Sequence, residues 1–182
     1  MAERPPRASA LEPEFVVLGL LCLQPAHGYS LHQRLRADFG GLWHIPQNQL
    51  YHLLRRLEGQ GDIAGQAARS TAGPPRRHYR ATARGRARYR RWRDRPTPLS
   101  TRALRVAFLT RLYLSLASDR SLAARLLTAQ RQALQDGIAR LRDLPAASGP
   151  PGSLERLSLQ LRIRQLETTL AWMAEAQQEL GL

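Results

Sequence analysis

The sequence contains no lysine, a single cysteine, and no apolar run approaching the roughly 20 residues that a membrane-spanning helix needs. The lone Cys22 excludes an internal disulfide and a multi-cysteine metal centre, and within its apolar surroundings it reads as a small core residue. Histidines offer no metal site either: His27, His32, His44 and His52 fall on different expected elements instead of at ligand spacing. No glycine-rich phosphate loop and no nucleophile–base pair can be named, so neither catalysis nor a cofactor is expected. The opening MAERPPRASALEPEF has two early prolines and no long apolar region, unlike a secretory signal. The simplest expected location is the cytoplasm.

Acidic residues are also scarce, and unevenly so. Every basic residue is arginine, and the net charge is +14. Up to Ala68 six arginines balance six acids. From Arg69 to Arg95 eleven arginines face Asp94 alone, and beyond Pro96 eleven arginines face seven acids. A focused basic segment suits a polyanion, either nucleic acid or an anionic membrane surface, while a solvated surface is the plain alternative. At 43% hydrophobic residues the 182-residue chain can build a real core, as one ordinary domain or two small ones.

Periodicity orders the rest. Glu14 to Leu23 is nearly all apolar and predicts a buried helix that Pro25 ends. Leu31, Leu35 and Phe39 step by four along a second helix, stopped at Gly40 and Gly41. Pro46 suits the first position of a third helix, in which Leu50, Leu53, Leu54 and Leu57 follow an i, i+3, i+4, i+7 stripe before Gly59 and Gly61. Two short possible strands, DIAGQAARS and RRHYRATA, flank the turn-rich TAGPP, and Thr82 can cap a fourth helix through Trp92. After the boundary DRPTPL, helices are predicted over Leu99–Ala117, Ser121–Leu144 and Leu154–Leu180. The last carries Ile163, Leu166, Leu170, Met173 and Leu180 as a stripe. The expected organisation is a flexible segment 1–12, a unit 13–95 and a helical unit 99–182.

Three helices, a hairpin and a further helix make a winged helix-turn-helix, so the fold class expected is mainly α with a small β-hairpin wing and a C-terminal helical region. In such a fold the third helix enters the DNA major groove and the wing meets the backbone. With the leucines turned inward, Gln47, Asn48, Gln49, Tyr51, His52 and Arg55 are left to face a ligand, and Asn and Arg suit bidentate contacts to base edges. Arg69, Arg76, Arg77 and Arg80 stand on the wing, where phosphates pass. The alternative for each is a solvated surface. His27 is expected to bond the turn, Tyr29 to pack in the core with its hydroxyl paired, and Trp43 to be core.

At this point the chain resembles the PadR family of bacterial transcriptional regulators. The resemblance rests on LGLLCLQPAHGYSLHQRL, GGLWHIPQNQLYHLLRRLEGQGDI and GPPRRHYRATARGRARY. It runs through His27-Gly28-Tyr29, the pair Leu50-Tyr51, Arg55 to Glu58, and Tyr79 to Arg86. It covers Phe15 to about Trp92, with looser agreement in FLTRLYLS and LETTLAWM. Ile45 stands where the family often has a capping Ser, His52 where Pro is frequent, and Ala81 where a larger apolar residue is usual. The resemblance implies a homodimer joined by C-terminal helices that binds a palindromic double-stranded operator and often represses. In some members a small aromatic or hydrophobic ligand releases the DNA. Trp92, Phe108, Tyr113 and Trp172 are the residues available to line such an effector pocket; packing of a dimer interface is their other reading. A non-specific nucleic-acid protein, an enzyme with a helical domain, and a winged-helix protein-interaction module remain as rivals, the enzyme disfavoured by the lack of a catalytic constellation.

Overall fold

A computed structural model of the chain describes residues 11–68 and 76–182. The predicted Arg69 contact and the N-terminal residues 1–10 lie outside the described residues. So does the side chain of Arg76, whose backbone begins a strand.

The first helix, α1 (Pro13–Leu23), is the hub of the N-terminal half. Every residue from Phe15 to Leu21 is buried, because helices pack on it from several sides. The strand β1 (Ala26–His27) leads into α2 (Gly28–Phe39), whose inward residues are Leu31, Leu35 and Phe39. Next comes α3 (Gln47–Gly59), with Leu50, Leu53, Leu54 and Leu57 buried as the stripe requires. Gly61 then turns the chain at φ 72°, a left-handed conformation that suits glycine. The strands β2 (Ile63–Ala68) and β3 (Arg76–Ala81) pair antiparallel in the register Ile63↔Ala81 to Ala68↔Arg76. Sequence periodicity missed β1, which is two residues long. It pairs with β3 through Ala26↔Tyr79 and His27↔His78, giving the order β1-β3-β2.

Helix α4 (Ala83–Asp94) starts where expected: the Thr82 hydroxyl accepts from the Gly85 N–H. A Cβ at Gly85 would stand 1.9 Å from the Asp62 carbonyl oxygen, so only glycine lets α4 approach the β2 entry this closely. Trp92 near the end of α4 stacks on Phe15 of α1, with ring centroids 4.9 Å apart and planes 9° from parallel.

The linker then reaches a composite helix: α5 (Thr101–Ala103), a π-helical stretch (Leu104–Phe108) and α6 (Leu109–Leu116). This rod serves two cores. Val106 and Leu114 join the core built on α1, while Leu104, Phe108 and Leu112 face the other way. The two faces explain why the segment reads as apolar all round. α7 (Arg120–Arg142), capped by Asp119, and α8 (Leu154–Glu179), capped by Ser153, pack antiparallel and enclose the second core with Leu127, Leu134, Ile138, Leu166 and Met173. Arg131 bonds Gln177 near one end of the pair and Arg142 meets Glu167 toward the other. No described helix is long and apolar enough to cross a membrane.

The Ile163–Leu180 stripe of α8 calls for cover by the neighbouring helices, by the first unit or by a second chain. In the structure Leu166 and Met173 are buried against α7, and Ile163, Leu170 and Leu180 pack beside them. The face left open is a different one: Leu154, Leu157 and Leu161, with Trp172 three turns further along.

Candidate nucleic-acid interface

The interface is built on α3. Its four leucines fix the rotation of the helix, so Gln47, Asn48, Gln49, Tyr51, His52 and Arg55 are all exposed. The helix starts without a side-chain cap, with Pro46 at the N-cap position one residue earlier than expected. Asn48 Oδ1 accepts from the Gln49 N–H (2.8 Å), and Arg55 Nη2–H donates to His52 Nδ1 (3.2 Å). These bonds hold Asn48 and Arg55 near the surface in defined positions, and both keep spare donors for base edges.

Two charged ties lock α3 to its neighbours. Arg56 donates to Glu14 of α1 (3.1 Å), and Glu14 also meets Arg88 of α4 (3.4 Å). Arg88 in turn donates to the buried Asp62 (2.5 Å) and to Gln60 (2.9 Å), just past α3. At the wing, Glu58 accepts from the Gly65 N–H (3.0 Å) and from Arg77 (2.5 Å). Arg77 was expected to face phosphate. Strand alternation puts it on the side of Tyr79, where Glu58 holds it while its side chain stays 55% exposed. Arg80 lies on the opposite side of β3, is exposed and makes no ion pair among the described residues.

Sequence reasoning misplaced Tyr29. It is 57% exposed at the start of α2, not core, because it lies two residues before Leu31 and so on the far side of that helix. The same period that found Leu31, Leu35 and Phe39 carries this signal. Tyr51 lies over Gly28 so closely that a Cβ there would come 2.7 Å from its ring, which brings the phenol of α3 against the start of α2. His27 reaches across to β3, its Nδ1 3.3 Å from the Arg77 carbonyl, and its ring stands edge-on to His78.

The four aromatics suggested for an effector pocket are not brought together. Trp92 is buried between Phe15 and the Arg111 guanidinium, which sits 4.4 Å from its ring centroid. Phe108 fills the second core, Tyr113 packs edge-on against Phe39, and Trp172 lies on the open face of α8. They sit on α4, on different faces of the rod and on α8, and no described cavity is lined by all four. Trp92 does border a cavity of about 360 Å³ beside the linker, together with Trp43, Arg95, Pro98 and Arg111. Trp43 is buried as expected, and its Nε1–H donates to Thr110 Oγ1 (2.7 Å). Arg111 is the residue that the sequence did not reveal. Its Nη1 donates to the Arg95 carbonyl and to Thr97 Oγ1, while its buried Nε has no partner among the described residues. Burial lowers its pKa to about 10, which still leaves it charged near neutrality.

Cys22 is half-buried, and burial raises its thiol to about 11 against the pull of nearby Arg86, Arg90 and Arg93. The thiolate is scarce near neutrality, in keeping with a packing role. Among the described residues no cluster of three or more His, Cys, Asp or Glu could hold a metal ion.

Residues 17–91 match the model of the transcriptional regulator PadR-like family, and residues 104–181 match the model of the virulence activator alpha C-terminal region. Among solved structures, Bacillus subtilis PadR in complex with operator DNA is similar at 20% identity, covering 92% of this chain and 97% of that one, with a TM-score of 0.48. The Vibrio cholerae virulence activator AphA is similar at 22% identity, covering 93% and 98%, with a TM-score of 0.41. A PadR-like transcription factor from Bacteroides fragilis reaches 28% identity over 43% of this chain and 74% of its own, with a TM-score of 0.40. No curated protein matches the chain.

Proposed function

Through residues 17–91 the chain belongs to the PadR-like family of transcriptional regulators, and on that premise we propose that it is a homodimeric repressor of a palindromic DNA operator. One observation carries the reading: α3 buries all its leucines and presents a continuous outer face of Asn48, Tyr51, His52 and Arg55. That face enters the major groove, Asn48 and Arg55 read base edges, and Arg80 meets the backbone. Tyr29, exposed at the start of α2, and Tyr51 of α3, whose ring lies over Gly28, bond phosphate from the groove edge. Two copies meet along the open Leu154–Leu157–Leu161 face of α8 and place two recognition helices about one helical turn of DNA apart.

Release from DNA follows a small anionic aromatic effector in the 360 Å³ cavity, flanked by Trp43 and Trp92 with Arg111 as counter-charge. A ligand there acts only if it binds the DNA-incompetent arrangement more tightly.

Selection of bound fragments from the host genome with purified protein tests the function. The expected result is a small set of fragments sharing an inverted repeat. Equal affinity for unrelated duplexes, with a steep salt dependence, would identify a non-specific nucleic-acid binder instead. Failure to bind any duplex would leave a winged-helix interaction module.

A further inference from the structure

The linker after α4 has a second hollow on its other side. A cleft of about 240 Å³ lies between the end of α4, Arg95-Pro96, α6 and the first half of α7. Arg93, Arg95 and Arg125 line it, and Asp94 is the acid among its walls. Arg93 already holds that carboxylate at 2.7 Å, so the pair is internally neutral. Arg95 and Arg125 make no ion pair among the described residues; Arg125 only donates to the Ser121 hydroxyl at 3.2 Å. The cleft therefore carries two guanidinium groups without a direct ion pair, Arg125 linked to Asp119 only through the Ser121 hydroxyl.

Its floor is polar in an unusual way. Ser115 of α6 is 0% exposed, borders the cleft, and its hydroxyl has no partner among the described residues. A serine in a helix commonly returns its proton to the carbonyl four residues earlier, as Thr110 does to Val106. Ser115 does not. A buried hydroxyl without a partner is costly, and one that faces a cleft is satisfied when an acceptor enters. Leu122, Leu126 and Ala129 add an apolar wall.

We propose that this cleft binds a small phosphorylated molecule. Its phosphate would accept from Ser115 and from the planar forks of Arg95 and Arg125. Guanidinium groups suit a multi-oxygen anion, and a phosphate dianion matches two of them. A compact apolar body would rest on the leucines of α7. The site is separate from the aromatic cavity, which lies across the Arg95-Pro96 linker, although Arg95 borders both. Occupancy would tie α4, the linker and α7 together.

The test is isothermal titration of the full chain, without DNA, using inorganic phosphate and phenyl phosphate, with chloride at matched ionic strength. One saturable site per chain is expected for both phosphates and none for chloride, with phenyl phosphate the tighter. Ser115→Ala should weaken phosphate about tenfold, yet melt no lower than the parent in phosphate-free buffer, since it removes an unsatisfied hydroxyl. Arg125→Gln should abolish measurable binding. Absence of saturable heat overturns the proposal, as does unchanged phosphate binding in both variants. If Arg125→Gln instead loses affinity only for duplex DNA, these arginines belong to the DNA interface and the proposal is equally wrong. Because DNA is absent from the titration, its failure would leave the reading of α3 untouched.

Discussion

Arg55 and Arg80 are both exposed and carry the same charge, but in the proposed reading α3 would offer the first to base edges and β3 the second to a backbone. Arg55→Ala should change the preferred base at one operator position, at a cost of about 1–3 kcal/mol there. Arg80→Ala should weaken every duplex alike and lower the salt slope by about one phosphate. Fluorescence anisotropy on a panel of operator variants, repeated over a salt series, separates the two. A sequence switch in Arg80→Ala with none in Arg55→Ala would reverse the roles. The outer face of α3 was legible in the sequence because four leucines fix its phase. Arg77 was not: within a run of arginines nothing local marks the one that pairs with Glu58, 19 residues earlier. Arg111 was hidden for a related reason. Its partners Arg95, Thr97 and the Trp92 ring come from the linker and the end of α4, and only tertiary packing brings them together.

Elements followed local chemistry where local chemistry was strong. The α1 hydrophobic run, the α3 stripe and the Thr82 cap all mark real boundaries within a residue or two. β1 left no trace, since two residues cannot show a period of two, and it exists because β3 offers it a free edge. The π-helical stretch at Leu104–Phe108 was invisible too, because apolar residues there face two cores at once. The junction of β2, β3 and α4 gives the prediction at this scale. Gly85→Ala drives a methyl into the Asp62 carbonyl, and the collision is with backbone, which cannot rotate away. The expected loss is at least the roughly 1–3 kcal/mol of an overpacked core, read as a lower urea midpoint with unchanged slope. An unaltered midpoint would mean that α4 slides outward freely and that the Arg88–Asp62 tie does not set its position.

For the whole molecule, the open face of α8 makes assembly the testable property. Leu154 is 82% exposed and Leu161 60%, beside half-exposed Leu157, a contiguous apolar strip that a lone chain would leave in water. Leu161→Glu should give monomers by sedimentation equilibrium and a melting temperature that no longer depends on protein concentration, since the stabilisation supplied by the partner copy is lost. Operator affinity should fall steeply, since one half-site is then held alone. A parent chain that sediments as a monomer at micromolar concentration would remove the basis of the two-site operator. A variant that stays dimeric would move the interface elsewhere.

The bond from Trp43 to Thr110 and the seat of Leu114 against Gly19 have a mechanical reading. The rod of α5 and α6 is keyed into the winged helix as a shaft is keyed into a wheel. In the proposed regulator, whatever turned the C-terminal helices together with that shaft would carry α3 with them, so release would need no loosening of the winged helix itself.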